Sequence, residues 1–141
     1  MTILYDWRGD FDNAAVDALH AEAFGHDPVP TDWRTRVHRH SLGWVCAREG
    51  GGQSGQGGSG GLVGFVNVAW DGGAHAFVLD TMVARNTRGS GVGTELVTTA
   101  ARGARAAGCA WLHVDFEEHL RPFYLGACGF RPTDAGLIAL T

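Results

Sequence analysis

Residues 88–94 read Arg-Gly-Ser-Gly-Val-Gly-Thr and stand between an apolar run and a long amphipathic segment. Glycine at alternate positions lets the backbone turn tightly and lets a ligand approach main-chain N–H groups without a Cβ in the way. The start of a helix adds unpaired N–H donors and the positive end of its dipole, and Arg88 adds a full charge. The stretch therefore predicts a strand-to-helix turn that can hold a pyrophosphate, with a purely structural turn as the alternative.

The segments on either side of this turn predict a β–α–β unit. Apolar runs predict one strand over 74–84 and a second over 111–117. Between them, a helix is predicted over 92–107, with a buried stripe of Val92, Leu96, Val97, Ala100, Ala101 and Ala104. Because such crossover connections are right-handed and join parallel strands, we expect strands 74–84 and 111–117 to be parallel neighbours.

The rest of the chain predicts further elements around this unit. Strands are predicted over 3–7, 43–49, 62–70 and 136–140. Helices are predicted from Asp12 or Asn13 to Gly25, after a Thr31 cap, and from Pro122 to Gly129. This order predicts an α/β fold, a mixed sheet with helices on both faces, in a single domain over 1–141. The tract 50–61, which has eight glycines and no apolar or charged residue, predicts a flexible hairpin loop rather than a domain linker.

Composition excludes several classes of function. The net charge of −4 argues against a general nucleic-acid binder. All eleven basic residues are arginine, which excludes a Walker A phosphate loop and a lysine Schiff base with pyridoxal phosphate. Cys46, Cys109 and Cys128 match neither a zinc pattern nor a disulfide framework, so we expect reduced thiols, a cytoplasmic location and no metal. With no signal peptide and no run of about 20 apolar residues, we expect no membrane partner.

Two motifs resemble those of a known enzyme family. Residues 88–93 resemble the R-x-x-G-x-G motif of the GNAT superfamily of N-acetyltransferases, and Leu79–Val83 resembles the strand that leads into it. Downstream, Phe123-Tyr124 followed by Cys128-Gly129-Phe130 resembles the F-Y-x-x-x-G-F ending of that family, with four residues here between Tyr124 and Gly129 instead of three. A dinucleotide-binding fold fits less well, because its fingerprint is G-x-G-x-x-G early in a longer array. The resemblance covers nearly the whole chain, from residue 3 to 140.

The resemblance implies acetyl-CoA as co-substrate and assigns its contacts. The main chain of the turn would hold the pyrophosphate, which makes the binding residues Arg88, Gly89, Ser90, Gly91, Val92, Gly93 and Thr94. Met82, Val83 and Ala84 would pair through their main chain with the pantetheine arm, where the two parallel strands splay apart. Tyr124 would protonate the departing thiolate, a task that suits a phenol because it stays protonated at neutral pH. A core aromatic with a satisfied hydroxyl is the alternative reading of Tyr124.

Polar residues within apolar strands are the candidates for the acceptor side. Aspartate is depleted in strands, so Asp80 should have either a structural partner or a role as base or substrate contact. Alternation places Trp111, His113, Asp115 and Glu117 on one face, which is either solvated or an amine-binding patch. The candidate catalytic carboxylates are therefore Asp80, Asp115 and Glu117. The candidate substrate contacts are His75, His113 and Trp33, the last from the region 26–42 that commonly forms the acceptor wall in the family.

The leading hypothesis is an acetyl-CoA-dependent N-acetyltransferase that acts on a primary amine of a small molecule. Two alternatives stay open: a non-catalytic acyl-CoA-binding module, and an enzyme that acetylates a protein N-terminus or a lysine. Relatives often dimerise, and the predicted last strand would offer a pairing edge, so we also expect a homodimer.

Overall fold

A computed structural model describes residues 2–50 and 61–141, and within them five strands form one sheet in the order β1-β2-β3-β4-β5. The strands are β1 Thr2–Trp7, β2 Ser41–Gly50, β3 Leu62–Trp70, β4 His75–Val83 and β5 Trp111–Val114. Neighbours are antiparallel except for β4 and β5, which are parallel. The predicted α/β fold with a mixed sheet is confirmed.

Within the described residues, three α-helices lie on the sheet: α1 Asn13–Phe24, α2 Trp33–His40 and α3 Val92–Ala106. Short helical turns cover Arg85–Thr87, Glu118–Leu120 and Pro122–Ala127, the last with π-helical hydrogen bonding. Gly25 ends α1 in the left-handed conformation, as predicted. The predicted Thr31 cap of α2 is wrong, because Asp32 accepts the hydrogen bond from the Thr35 N–H while the Thr31 hydroxyl donates to the carbonyl of Val29.

The two faces of the sheet are covered to different extents. On one face α3 packs against an apolar cluster that includes Val45, Val66, Val78, Leu96 and Ala100. On the other face α1 and α2 cover Trp44, Cys46, Phe65 and Met82. That second cover stops short of the β4–β5 edge, where Phe77, Leu79 and Trp111 remain 40%, 46% and 54% exposed.

The C-terminal part of the chain departs from the predicted strands. Strand β5 ends at Val114, three residues before the predicted limit of 117. The predicted strand 136–140 is wrong: residues 131–141 have no regular structure, and Leu137, Ile138 and Leu140 are 81%, 85% and 92% exposed. An apolar run becomes a strand only when another strand pairs with it, and within the described residues this segment has no such neighbour. Residues 51–60 of the predicted glycine-rich loop lie outside the described residues, but β2 and β3 on either side pair as an antiparallel hairpin.

Candidate active site

The glycine-rich turn connects β4 to α3 in the conformation that its glycines allow. Gly89 and Gly91 have φ angles of 83° and 87°, a region that side chains with a Cβ rarely adopt. Gly91 is also the N-cap of α3, and within the described residues no side chain caps the helix there. The first amides of α3 are therefore available to an anion at this helix end.

Neighbouring residues hold the turn in place. The Thr87 hydroxyl is buried and donates to the Ala84 carbonyl at 2.9 Å. The Ser90 hydroxyl donates to the carbonyl of Thr87. Arg88 is exposed, and its Nε donates to the Val83 carbonyl at 3.3 Å, which keeps its charge beside the turn. The turn therefore combines open N–H groups with a positioned positive charge.

Strands β4 and β5 separate beside this turn. Their parallel pairing runs from His75 with Trp111 to Val78 with Val114, and β4 then continues to Val83 with β3 as its partner. In the part of the chain that the structure describes, no strand pairs with the β5-facing edge of β4 over this second half, which is the predicted splay. Within it, the Ala84 main chain is already paired, since its N–H donates to Val63 at 2.8 Å and its carbonyl accepts from the Thr87 N–H at 2.9 Å.

Tyr124 lies at the point where β4 and β5 separate. Its hydroxyl donates to Oγ1 of Thr81 on β4 at 3.1 Å, and its ring stacks on Phe116 at 5.1 Å between centroids. Only 7% of the residue is exposed. Burial raises the pKa of Tyr124 above its usual value, and the hydrogen bond with Thr81 offsets part of that rise. The phenol therefore keeps its proton at neutral pH at the point where the two strands part.

Asp80 precedes Thr81 in an irregular part of β4. The β3–β4 register shifts between Phe65 and Asn67, which leaves Asp80 and Thr81 in a β-bulge. Asp80 has a φ angle of 56°, a left-handed conformation that costs a non-glycine residue roughly 1–2 kcal/mol. Local strain of this kind is concentrated at functional sites, and here it turns the Asp80 side chain into a cavity.

That cavity has a volume of about 350 Å³ and lies between α1, the following loop, α2 and the bulge of β4. Its polar and aromatic lining comprises Asp17, His20, His26, Trp33, Arg36 and Asp80. Trp33 is 3% exposed, and its indole N–H donates to Asp17 at 2.8 Å. The Arg36 guanidinium stands over the Trp33 ring at 4.7 Å. The cavity thus carries negative charge at Asp17 and Asp80 and positive charge at Arg36.

Two of the sequence-derived candidates on β4 and β5 meet outside this cavity. His75 Nδ1 and His113 Nε2 are 2.8 Å apart, and the His113 ring stacks on Phe77 at 4.7 Å. Asp115 and Glu117 are exposed beyond the end of β5, and Glu117 lies 3.7 Å from His119. The face of strand 111–117 that carries Trp111, His113, Asp115 and Glu117 is exposed to solvent. Asp80 and Trp33 line one cavity, and Tyr124 contacts Thr81, the residue after Asp80, whereas Asp115 and Glu117 do not line that cavity.

Sequence reasoning missed the histidines and charged residues on α1, the loop and α2. His20 Nδ1 lies 2.6 Å from His26 Nε2, and its ring is 5.5 Å from that of Trp33. The spacing of Asp17 and His20 on α1 could have identified them, because residues three positions apart share a helix face. Nothing in the sequence indicated that this face meets Asp80, because the meeting depends on how α1 packs against β4.

The comparisons with known proteins agree with this geometry. The sequence profile of the acetyltransferase (GNAT) family matches residues 3–130. The chain therefore belongs to the GNAT family, and its class is that of N-acetyltransferases. No curated protein sequence matches the chain significantly.

Solved structures of acetyltransferases share the fold along their whole length. An acetyltransferase of Trypanosoma brucei is 18% identical with a TM-score of 0.77, covering 98% of this chain and 99% of its own. Glucosamine-6-phosphate N-acetyltransferase of Arabidopsis thaliana is 15% identical with a TM-score of 0.70, covering 99% and 98%. AAC(6')-Iy, bound to a bisubstrate analogue of CoA and acetylneamine, is 16% identical with a TM-score of 0.68, covering 98% of each chain. At these identities the similarity establishes the fold alone.

Two features of the described residues bear on other partners. Across 2–50 and 61–141, no helix has the length and apolar character needed to cross a membrane. In the same ranges, His, Cys, Asp and Glu side chains nowhere gather in a group of three or more that could hold a metal ion.

Proposed function

We propose that this protein transfers the acetyl group of acetyl-CoA to a primary amine of a small molecule, with Tyr124 as the general acid. One observation carries the proposal. The Tyr124 hydroxyl contacts Thr81 at 3.1 Å, and the residue before Thr81 on β4 is Asp80, which lines the cavity. A proton donor therefore contacts the residue adjacent to a negatively charged group of the cavity wall, where the two parallel strands separate.

The residues around the turn fit acetyl-CoA. Main-chain N–H groups between Arg88 and Thr94 bind the pyrophosphate, since a positive-φ glycine turn and a helix N-terminus both present such donors. A Cβ at Gly89 or Gly91 would meet no protein atom within 4 Å, so the space above the turn is open to a ligand. The open edge of β4 before Ala84 pairs with the pantetheine arm, through Met82 and Val83.

The reaction needs a proton acceptor at the amine and a proton donor at the departing thiolate. Acetyl-CoA supplies an activated acyl group as a thioester. The bound ammonium first loses one proton to solvent, which frees the lone pair of its nitrogen. The C–N bond then forms and the C–S bond breaks, while a base takes the second proton that the nitrogen releases and the thiolate takes the proton of Tyr124. Solvent then returns a proton to Tyr124. A positioned proton donor of this kind is typically worth about 10²–10⁴ in rate.

The charge and size of the cavity indicate which kind of acceptor it can bind. Asp80 binds the ammonium form of the amine, whereas Asp115 and Glu117 lie outside the cavity. Arg36 forms no ion pair within the described residues and also lines the cavity, where it suits an anionic group on the same acceptor. A cavity of about 350 Å³ has the size of a small-molecule site, which favours a small amine over a peptide.

The two alternatives make different demands. A non-catalytic acyl-CoA-binding module needs the turn but has no use for a buried phenol aimed at β4 or for the strained backbone of Asp80. A protein or peptide acceptor needs an extended groove, and the bare face around His75, His113 and Phe77 is the surface that would supply one. The free thiols of Cys46, Cys109 and Cys128 suit a reducing compartment, and on that ground we place the protein in the cytoplasm.

An amine panel tests the proposed function. Thiol release from acetyl-CoA is measured with α-amino acids, amino sugars, polyamines and simple aromatic amines, together with a lysine-containing peptide. We expect turnover with small amines, and higher kcat/KM for an amino acid than for the amine made by removing its carboxylate. Acetylation of the peptide alone would establish the second alternative, and acetyl-CoA binding without any turnover would establish the first.

We also propose a homodimer, although not through the strand predicted at 136–140. Strand β5 is an edge of the sheet, and the tail beyond Phe130 carries exposed apolar side chains that suit pairing with a second copy. Light scattering should give twice the chain mass of 15.0 kDa. Joint replacement of Leu137, Ile138 and Leu140 by Asn should produce a monomer, whereas Leu4→Asn at the opposite edge should not. A monomeric wild-type chain at high concentration would reject the proposal.

A further inference from the structure

Two histidines form a hydrogen-bonded chain that ends on a main-chain carbonyl. His26 Nδ1 lies 2.6 Å from the carbonyl oxygen of Asp27, and His26 Nε2 lies 2.6 Å from His20 Nδ1. A carbonyl oxygen can only accept, so Nδ1 of His26 carries a hydrogen. In neutral His26 the other nitrogen must then accept, and the donor is Nδ1 of His20. This order leaves the lone pair of neutral His20 on Nε2.

His20 lines the cavity, and charged groups from each surrounding element act on it. Asp17 on α1 and Asp80 on β4 favour its protonated form, while His26 in the loop and Arg36 on α2 disfavour it. Burial is the largest influence, and it lowers the pKa of His20 below its usual value. His20 is therefore neutral at pH 7, which is the form that can accept a proton.

We propose that His20 is the catalytic base, accepting at Nε2 the proton that the acceptor amine releases, with His26 as the positioning residue that keeps the lone pair there. The inference rests on the proposed function and adds the group that its proton balance requires. The amine proton moves to His20 as the C–N bond forms, and solvent removes it after the product leaves. Asp80 and Tyr124 keep their separate tasks at the ammonium and at the thiolate.

The division of labour between Asp80 and His20 has a physical reason. A carboxylate attracts the ammonium form of the amine, but its negative charge also stabilises that form and so opposes loss of the ammonium proton. Imidazole exchanges a proton close to neutral pH, and a general base is most effective when its pKa lies near the working pH. Both groups line the same cavity, so one acceptor nitrogen can contact Asp80 on binding and His20 on deprotonation.

Nitrogen NMR of the histidine side chains in the full chain tests the tautomer without any substrate. The resonances of His20 are identified by their loss in His20→Gln. We expect hydrogen on Nδ1 and a bare Nε2 in His20 above pH 7, and the same protonated nitrogen in His26. Hydrogen on Nε2 of His20 would overturn the proposal.

Kinetics with the best acceptor of the panel test the role itself. His20→Gln should lower kcat about 10²-fold and leave KM for acetyl-CoA unchanged. It should also remove the acid limb of the wild-type pH profile, which is the fall of kcat as the pH is lowered. His26→Gln should lower kcat about tenfold and move that limb, and thermal melting confirms that each variant is folded. His38→Gln is the matched control, because His38 packs on Trp44 and bonds to the Arg34 carbonyl instead. An unchanged acid limb in His20→Gln would refute the base while leaving the proposed function intact, whereas no turnover by the wild type would refute the function.

Discussion

The glycine-rich turn and the cavity beside Asp80 are neighbours in the structure, but they are built in opposite ways. The turn is one continuous stretch, Arg88 to Thr94, whose conformation depends on its own glycines. The cavity takes its walls from α1, the loop after it, α2 and β4. The region proposed for the co-substrate is therefore local in sequence, whereas the region proposed for the acceptor depends on packing.

Replacement of Gly91 tests the local region and should have the largest effect. Both Asp and Asn tolerate the left-handed conformation required at a φ angle of 87°, and neither Cβ would meet protein atoms. Gly91→Asp adds a charge against the pyrophosphate, and two like charges about 4 Å apart repel by about 4 kcal/mol at an effective dielectric constant of 20. We expect calorimetry to show a loss of acetyl-CoA affinity of about 10³-fold for Gly91→Asp and far less for Gly91→Asn. Equal affinities in the two variants would remove the turn from the binding site.

Tyr124→Phe tests the point where the two regions meet. The change removes only the hydroxyl, so the stacking on Phe116 survives. The kcat should fall by roughly 10²–10³ while KM for acetyl-CoA changes little, because the hydroxyl matters mainly as the thiolate forms. Tyr5→Phe is the control, since Tyr5 is the other tyrosine and lies on β1 at the far edge of the sheet. Full activity of Tyr124→Phe would eliminate it as the acid.

Substitutions of Asp80 test whether the strained backbone at this position serves the activity at the cost of stability. Asp80→Gly relieves the backbone at a φ angle of 56° and should raise the free energy of unfolding by about 1 kcal/mol, measured in urea. Asp80→Asn keeps the shape and the strain but loses the charge. Both variants should lose about tenfold in kcat/KM for a cationic amine, and only the glycine variant should be more stable. A less stable glycine variant would mean that the Asp80 side chain has a structural partner.

The smallest expected effect is the pH dependence of stability from His20. Its pKa is lowered in the folded state, so the unfolded chain binds more protons near the ordinary histidine pKa of about 6.5. The free energy of unfolding therefore falls as the pH falls through that value. We expect the Tm to drop between pH 7.5 and about 5.5, and to drop less in His20→Gln than in His38→Gln. An identical pH dependence in both variants would show that His20 titrates in the folded protein as it does in the unfolded chain.

Prediction from sequence succeeded where neighbours along the chain set the structure. The glycines at 89 and 91, the helix that follows them and the pairing of β2 with β3 are all local features, and each is present as predicted. The apolar stretch Gly136–Leu140 shows the limit of that reasoning. Its pattern suits a strand, but it remains exposed because no strand of the described chain lies beside it.

For the candidate site, the outcome divides in the same way. Asp80 was identified as a charged residue within an apolar strand, Trp33 by its place in the region 26–42, and Tyr124 by its match to a motif. His20 and His26 were not, because each looks like an ordinary surface histidine until α1 packs against the bulge of β4. The register shift that places Asp80 in the left-handed conformation has no signature in the strand's own sequence.

The sequence by itself determined the family, the mixed fold and the glycine-rich turn, because the backbone conformations of glycine and the periodicity of apolar residues act over a few residues. Tertiary structure decided which groups line the cavity that we propose for the acceptor. It brought Asp17 and His20 from α1, Arg36 from α2 and Asp80 from β4 into one cavity. These segments are far apart along the chain. A hydrogen bond outside the cavity, from the Arg85 amide to Glu22 near the end of α1, joins residues 63 positions apart, and such contacts form only once the helices have packed on the sheet.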